Sequence, residues 1–262
     1  MSKKAPSLRV NEIFMSIQGE SSHAGKPCIF IRLTGCNLRC SYCDTVHAYD
    51  EGSAMTLDEI LKRARGYKSS NICITGGEPL LQANLSKLIN ILKKNHFNVY
   101  IETNGSLNID MLPKGIVRVV DIKCPDSGME REMDWGNIER LKKRDEVKFI
   151  ISSKRDYEWA KGVTEKQRII ERATVLFGLV HDKLKPKTLA GWILKDGLDV
   201  RLQLQLHKTI WPDKTRKTKK CQKNVKKTAK IKITQKMTQQ RQKVTNTNHT
   251  IKSQKSKGTL NQ

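Results

Sequence analysis

The chain has 262 residues, 37% of them hydrophobic, enough for one large domain or two small ones. Its formal net charge of +24 is uneven, because 16 Lys or Arg against one acid lie between Asp213 and Gln262. No apolar run approaches the roughly 18–20 residues that span a bilayer, MSKKAPSLRVNEIF lacks the apolar core of a secretory signal, and seven cysteines are an odd set for a disulfide framework. A cytoplasmic location is therefore expected, where clustered thiols stay reduced and act as metal ligands or catalytic groups.

In chain order, KPCIFIRLTG is a short apolar run ending in glycine, the mark of a buried strand. TLDEILKRARGY opens a helix at Thr56, with Glu59 at capping-box spacing. SNICITGG is strand then glycines. NLSKLINILKKNHF is an amphipathic helix with Leu85, Leu88, Ile89 and Leu92 on one face. NVYIETNG, GIVRVVDIKCP and EVKFIIS are strands, and RDYEWAKGV is a helix. RATVLFGLV and DVRLQLQLHKTIW are the last strands, with the helix PKTLAGWILKDG between them.

Strands alternating with helices predict repeated βαβ units around a parallel sheet. About six units fall short of the eight of a closed barrel, so the expected fold is α/β, a partial (open) parallel β/α barrel. Ligands in such folds bind at the C-terminal strand ends. Three cysteines, TGGEP, ETNG and DIKCP all follow successive strands. The division expected is a barrel domain over 1–212 and a basic low-complexity tail over 213–262. The tail has too little apolar surface to offset its ordering entropy and is expected to be disordered. Its lysines could hold nucleic acid nonspecifically, but nothing in them reads a base.

GCNLRCSYCD holds Cys36, Cys40 and Cys43 as C-x3-C-x2-C. A structural zinc site uses four ligands, often as two separated pairs, and no second C-x-x-C exists here. A thioredoxin-like pair would not need Cys36. An electron-carrying cluster uses four cysteines. What remains is a [4Fe–4S] cluster with three protein ligands and one open iron. Cys28 and Cys73, inside apolar runs, read as ordinary packing. The histidines show no metal spacing, and His207 reads as a core or edge residue of the last strand.

C-x3-C-x-aromatic-C, with Tyr42 as the aromatic, resembles the signature of radical S-adenosylmethionine (SAM) enzymes, and Thr75–Pro79 (TGGEP) resembles their GGE-like motif. More narrowly, SIQGE, CDT, ITGGEPLLQ, YIETNGSL, VVDIKCPDSG and LQLQLHKTIW resemble the 7-carboxy-7-deazaguanine synthases over residues 8–216. The resemblance implies a radical SAM partial barrel that uses a [4Fe–4S] cluster, SAM and Mg²⁺. It also implies ring contraction of 6-carboxy-5,6,7,8-tetrahydropterin, through a 5′-deoxyadenosyl radical and with loss of ammonia, in queuosine and 7-deazapurine biosynthesis. A homodimer and an electron donor such as flavodoxin or ferredoxin are implied too, and no membrane partner.

By the same resemblance, Cys36, Cys40 and Cys43 hold the cluster, and Thr45 holds Mg²⁺ through its hydroxyl. Tyr42, Cys43, Asp44, Gly76, Gly77, Glu78, Asn104, Asp121, Ile122 and Lys123 contact SAM, with Glu78 as acceptor for its ammonium. Ile17, Gln18, Gly19, Arg32 and Thr75 contact substrate, Arg32 at the carboxylate. Glu102 and Thr103 line the same loop as Asn104. Two departures stand out. Gly178 and Leu179 replace an expected Ser-Pro or Gln-Pro near SAM. The composition also changes abruptly at Lys217, as a frameshifted or read-through terminus would make it. Two alternatives are a glycyl-radical activase, which usually adds ferredoxin-like cysteine clusters absent here, and a basic nucleic-acid-binding protein with a structural cluster.

Overall fold

Thr56 begins the first helix because its hydroxyl accepts from the Glu59 amide, while the Glu59 carboxylate accepts from the Thr56 amide at 2.8 Å. This capping box starts α1 (Leu57–Arg65), as the spacing predicts. A computed structural model describes residues 5–211; the basic tail lies outside the described residues. In chain order the other elements are β1 (Ser7–Ile17), β2 (Pro27–Leu33), β3 (Ser53–Thr56), β4 (Asn71–Gly76), α2 (Leu85–Lys94), β5 (Asn98–Thr103), β6 (Val117–Ile122), α3 (Asn137–Arg140), β7 (Glu146–Ile151), α4 (Lys154–Lys166), β8 (Thr174–Leu179), α5 (Pro186–Asp196), β9 (Arg201–Gln203) and α6 (Leu206–Ile210).

The strands form one sheet in the order β3-β1-β2-β4-β5-β6-β7-β8-β9, with β3 and β9 at its edges. From β2 to β9 every neighbouring pair is parallel. The sheet is open, as expected of a partial barrel. β1 and β3 add an antiparallel margin that the sequence pattern does not announce.

Side chains alternate between the faces of a strand, and here the faces differ in kind. On one, Ile29, Ile31, Ile74, Ile101, Val120, Val147, Phe149 and Phe177 merge with Leu88, Ile89 and Leu92 of α2 and Tyr157 and Ala160 of α4 into the main core. Burying each large side chain contributes about 1.5–3 kcal/mol. The other face begins with a small apolar floor of Phe14, Cys28, Phe30, Cys73 and Tyr100. Towards the C-terminal strand ends it turns polar, with Arg32, Thr75, Glu102, Asp121 and Lys148.

The last expected strand is shorter than predicted. β9 ends at Gln203, and the chain turns into α6, so His207 lies on a helix and not on a strand. Alternating LQLQL pairs with β8 only as far as Gln203. Leu206 instead donates its amide to the Gly19 carbonyl at 2.9 Å, a tertiary contact that overrides the local pattern.

Candidate active site

The three cysteines lie on the loop between β2 and β3, at the C-terminal edge of the sheet. All are free thiols and partly buried. Cys36 accepts from the Leu38 amide at 3.4 Å, and the Asn104 amide group lies 3.9 Å from its sulfur. Burial pushes the Cys40 thiol up, with Lys123 pulling it the other way. Among the described residues no three Cys, His, Asp or Glu side chains are grouped to hold a metal ion. A cluster asks for something else, since each thiolate binds a different iron and the sulfurs stand around it. The donor set is soft sulfur only, which suits iron–sulfur chemistry. Tyr42 is anchored beside it, donating to the Ile150 carbonyl at 3.1 Å, and burial raises its phenol.

Gly77 packs against this loop. A Cβ on it would lie 2.1 Å from the Gly35 carbonyl oxygen and 2.7 Å from Cys36 Cβ. Gly76, at φ 157°, would meet the Leu33 carbonyl at 2.3 Å. The glycines therefore let the strand end and the cysteine loop interlock through backbone, with the Glu78 amide donating to the Gly35 carbonyl at 2.7 Å. Glu78 itself is fully buried. It accepts from the Leu80 amide and Thr103 hydroxyl, both at 2.9 Å, and from the Asn104 amide at 2.6 Å. Burial raises its carboxyl despite these three bonds. Its evident work is to tie the loops after β4 and β5 together, which fixes Asn104 next to Cys36.

Arg32 pairs in register with Thr75 and holds Glu12 at 3.0 Å. Thr75 donates to one Glu102 oxygen at 3.1 Å, and the Gln18 amide approaches the other at 3.4 Å. Gln18 also caps its own loop, accepting from the Gly19 amide at 2.9 Å. Ile17 ends β1, opposite Pro27. The structure thus brings Gln18, Arg32 and Thr75 onto the polar face of the sheet. Ile122 stands apart: its side chain lies in the main core, so only its backbone faces the strand-end loops. Gly178 faces Ile150, and Leu179 is buried in the main core.

Sequence reasoning missed a charged chain across the interior. Lys123 holds Asp121 at 2.8 Å, Lys148 lies 3.8 Å from the same oxygen, and Lys148 holds Glu20 at 2.8 Å. Gln205 then donates to Glu20 at 2.7 Å. Burial alone would push the Lys148 ammonium down, but Glu20, Asp121 and Glu102 outweigh it and hold it well above the ordinary lysine value. Burial would likewise push the Glu20 carboxyl up, yet Lys148 and two hydrogen bonds bring it below the usual range. The available signal was Glu146 and Lys148, two charges spaced by two in a central strand, which alternation puts on one face. Among the described residues, Asp121 Oδ1 and Gln205 Oε1 are the buried side-chain polar atoms without a hydrogen-bond partner. Each is an acceptor, fitted to a ligand that brings N–H or O–H donors.

α6 closes this interior from the far end of the chain. Lys208 reaches Asp44 at 3.2 Å, the residue that also accepts from the Thr45 hydroxyl at 3.0 Å. Burial would raise the Asp44 carboxyl, but Lys208 and Thr45 hold it low. His207 presses on Gly19, where a Cβ would fall 2.0 Å from its ring nitrogen. Burial lowers the His207 imidazole, opposed by Glu20.

The Radical SAM superfamily profile matches residues 30–122, the stretch that runs from β2 through β6. The 7-carboxy-7-deazaguanine synthase of Chlorobaculum tepidum is 44% identical over 217 residues, covering 81% of this chain and 98% of the relative. That of Koribacter versatilis is 39% identical, covering 80% and 99%. Among solved structures, QueE from Escherichia coli superposes with a TM-score of 0.65 at 25% identity, covering 77% of this chain and 95% of that one. Neither alternative reading, activase or nucleic-acid binder, finds support among these relatives. With its cysteine loop, interlocked glycines and polar interior in place, the chain belongs to the 7-carboxy-7-deazaguanine synthase family of the radical SAM superfamily.

Proposed function

We propose that this chain converts 6-carboxy-5,6,7,8-tetrahydropterin to 7-carboxy-7-deazaguanine with release of ammonia. The observation that carries this reading is one juxtaposition. Three thiols, without a fourth in their loop, stand at the rim of a sheet face whose polar lining is Gln18, Arg32, Thr75 and Glu102. Membership of the radical SAM superfamily implies a [4Fe–4S] cluster and SAM, and these, when bound, supply an electron and a hydrogen-abstracting radical.

The residues present fit both groups. Cys36, Cys40 and Cys43 supply the soft thiolates. Asn104 and the backbone of Gly77 lie beside Cys36. Asp121 offers its unpartnered oxygen to a ligand's donor, and Lys123 pairs with its other oxygen at 2.8 Å. On the substrate side, the Gln18 amide and Glu102 carboxylate present donor and acceptor together, as a pterin edge requires. Arg32 offers guanidinium donors to a carboxylate, which it binds best as a fork. The half-buried interior and the closing α6 limit water around reactive intermediates.

Mg²⁺ is part of the proposal. Thr45 and Asp44 form an all-oxygen pair, the donor type a hard cation takes, with substrate and water to complete the shell. A donor such as flavodoxin or ferredoxin would deliver the electron.

The test is anaerobic reconstitution with dithionite, SAM, Mg²⁺ and the tetrahydropterin, followed by mass spectrometry. 7-Carboxy-7-deazaguanine is expected, and Cys40→Ala should abolish it. Cluster loading and SAM cleavage without that product would reject the substrate while keeping the chemistry.

A further inference from the structure

Arg39 is the one basic residue in the loop TGCNLRCSYCDT. Its guanidinium folds back onto the loop. Nη1 donates to the carbonyls of Cys36 and Leu38, both at 2.8 Å, and the group lies 4.2 Å from the centre of the Tyr49 ring. The Arg39 amide meets Met129 Sδ at 3.4 Å. The stacked guanidinium is therefore tied to the backbone of the first cysteine of the triplet.

We propose that Arg39 and Tyr49 are positioning residues that brace the cysteine loop and raise the reduction potential of the cluster it holds. The proposal rests on the reading of Cys36, Cys40 and Cys43 as cluster ligands, and goes beyond it in assigning two residues that bind no iron. Reduction adds one negative charge to the cluster. A fixed cation on the Cys36 backbone favours the more negative state. Donation from Nη1 to the carbonyls of Cys36 and Leu38 also fixes the turn that separates Cys36 from Cys40. Elsewhere the loop is held by Gly35 donating to the Ala48 carbonyl at 2.8 Å, by Ser41 donating to the Ser127 carbonyl at 3.0 Å, and by Lys208 on Asp44 at 3.2 Å.

The two contributions separate by substitution. Arg39→Gln removes the charge, Arg39→Lys keeps the charge but loses the two-carbonyl clamp, and Tyr49→Leu keeps both but removes the stacked ring. The measurements are iron content after reconstitution, the midpoint potential by a spectroscopically monitored redox titration without SAM, and amide hydrogen exchange over residues 35–45 before reconstitution. Arg39→Gln should titrate at a more negative potential than the wild type, and Tyr49→Leu should shift the same way by less, because the ring no longer holds the guanidinium on the loop. Arg39→Lys should stay near wild type in potential while its loop amides exchange faster. If Arg39→Gln fails to load iron, Tyr49→Leu still decides the matter, because the clamp remains. Fully loaded variants with wild-type potentials would overturn the brace as a tuning device. A wild-type chain that never loads iron would instead overturn the reading of the cysteines themselves.

Discussion

Lys148 and Phe149 are adjacent on β7 and belong to different regimes. Phe149 is fully buried, packed edge-on against Trp159 and Phe177 at centroid distances of 6.2 and 5.6 Å. Lys148 faces the interior, where it bridges Glu20 and Asp121. Phe149 is held by area and shape, which tolerate neighbours of similar volume. Lys148 is held by charge at the cost of desolvation, and such a pair rarely repays burial over an apolar substitute. The two faces of the sheet thus divide the labour: one makes the fold stable, and the other accepts a stability cost to keep a charged surface beside the cysteines.

Substitutions can break that division in order of size. Phe149→Ala should be the most destabilising, by about 3–5 kcal/mol, read from urea unfolding, with cluster signature and product spectrum unchanged in the folded fraction. Lys148→Met should cost about 3 kcal/mol, because it strands the Glu20 charge, and should also abolish product formation. Adding Glu20→Leu should recover much of that stability but none of the activity. A double variant as unstable as the single one would show that Lys148 holds more than its partners.

Acid sharpens the contrast. Glu20 has a folded-state pKa below its ordinary value of 4.5. Its contribution is complete above about 4.5 and is lost as pH falls through the lower folded value. Lys148, raised above 10.5, contributes below that value and loses its contribution only as pH climbs through its folded pKa. Melting temperature against pH should therefore show an acid limb that is shallower in Glu20→Gln, while Phe149→Leu keeps the wild-type limb. Smallest of all, Thr56→Ala should remove the capping box of α1 for about 1 kcal/mol, detectable as a lower melting temperature with unchanged turnover.

What the sequence made legible follows the same line. The outer face could be read, since β2, β4, β5, β6 and β7 carry dense apolar runs, and the capping box of α1 and the periodicity of α2 need no distant partner. The cysteine loop could be read as chemistry because its three thiols are local. The interior could not be read. Glu20 and Lys148 are 128 residues apart and Glu20 and Gln205 are 185 apart, so nothing local marks them as partners. β1 escaped notice because SLRVNEIFMSI mixes polar and apolar positions, as an antiparallel strand with a bulge between Val10 and Glu12 does. LQLQLHKTIW misled because alternation continues past Gln203 while the backbone turns away to meet Gly19. Burial of Glu78 was equally invisible, since a carboxylate in a glycine-rich loop ordinarily faces water.

The contact between α6 and the loop after β1 also has a consequence in time. The chain emerges from the ribosome N-terminus first, at about 5–20 residues per second. Gly19 and Glu20 thus wait roughly 10–40 seconds for Gln205 and Leu206 to be made, at that rate. Most of the apolar core can collapse in this interval, but the charged interior stays open until α6 arrives. A nascent chain shorter than Lys208 would be folded on one face and unfinished on the other. Until then Asp44, directly after the last of the three cysteines, would lack its Lys208 partner, and Glu20 would lack Gln205.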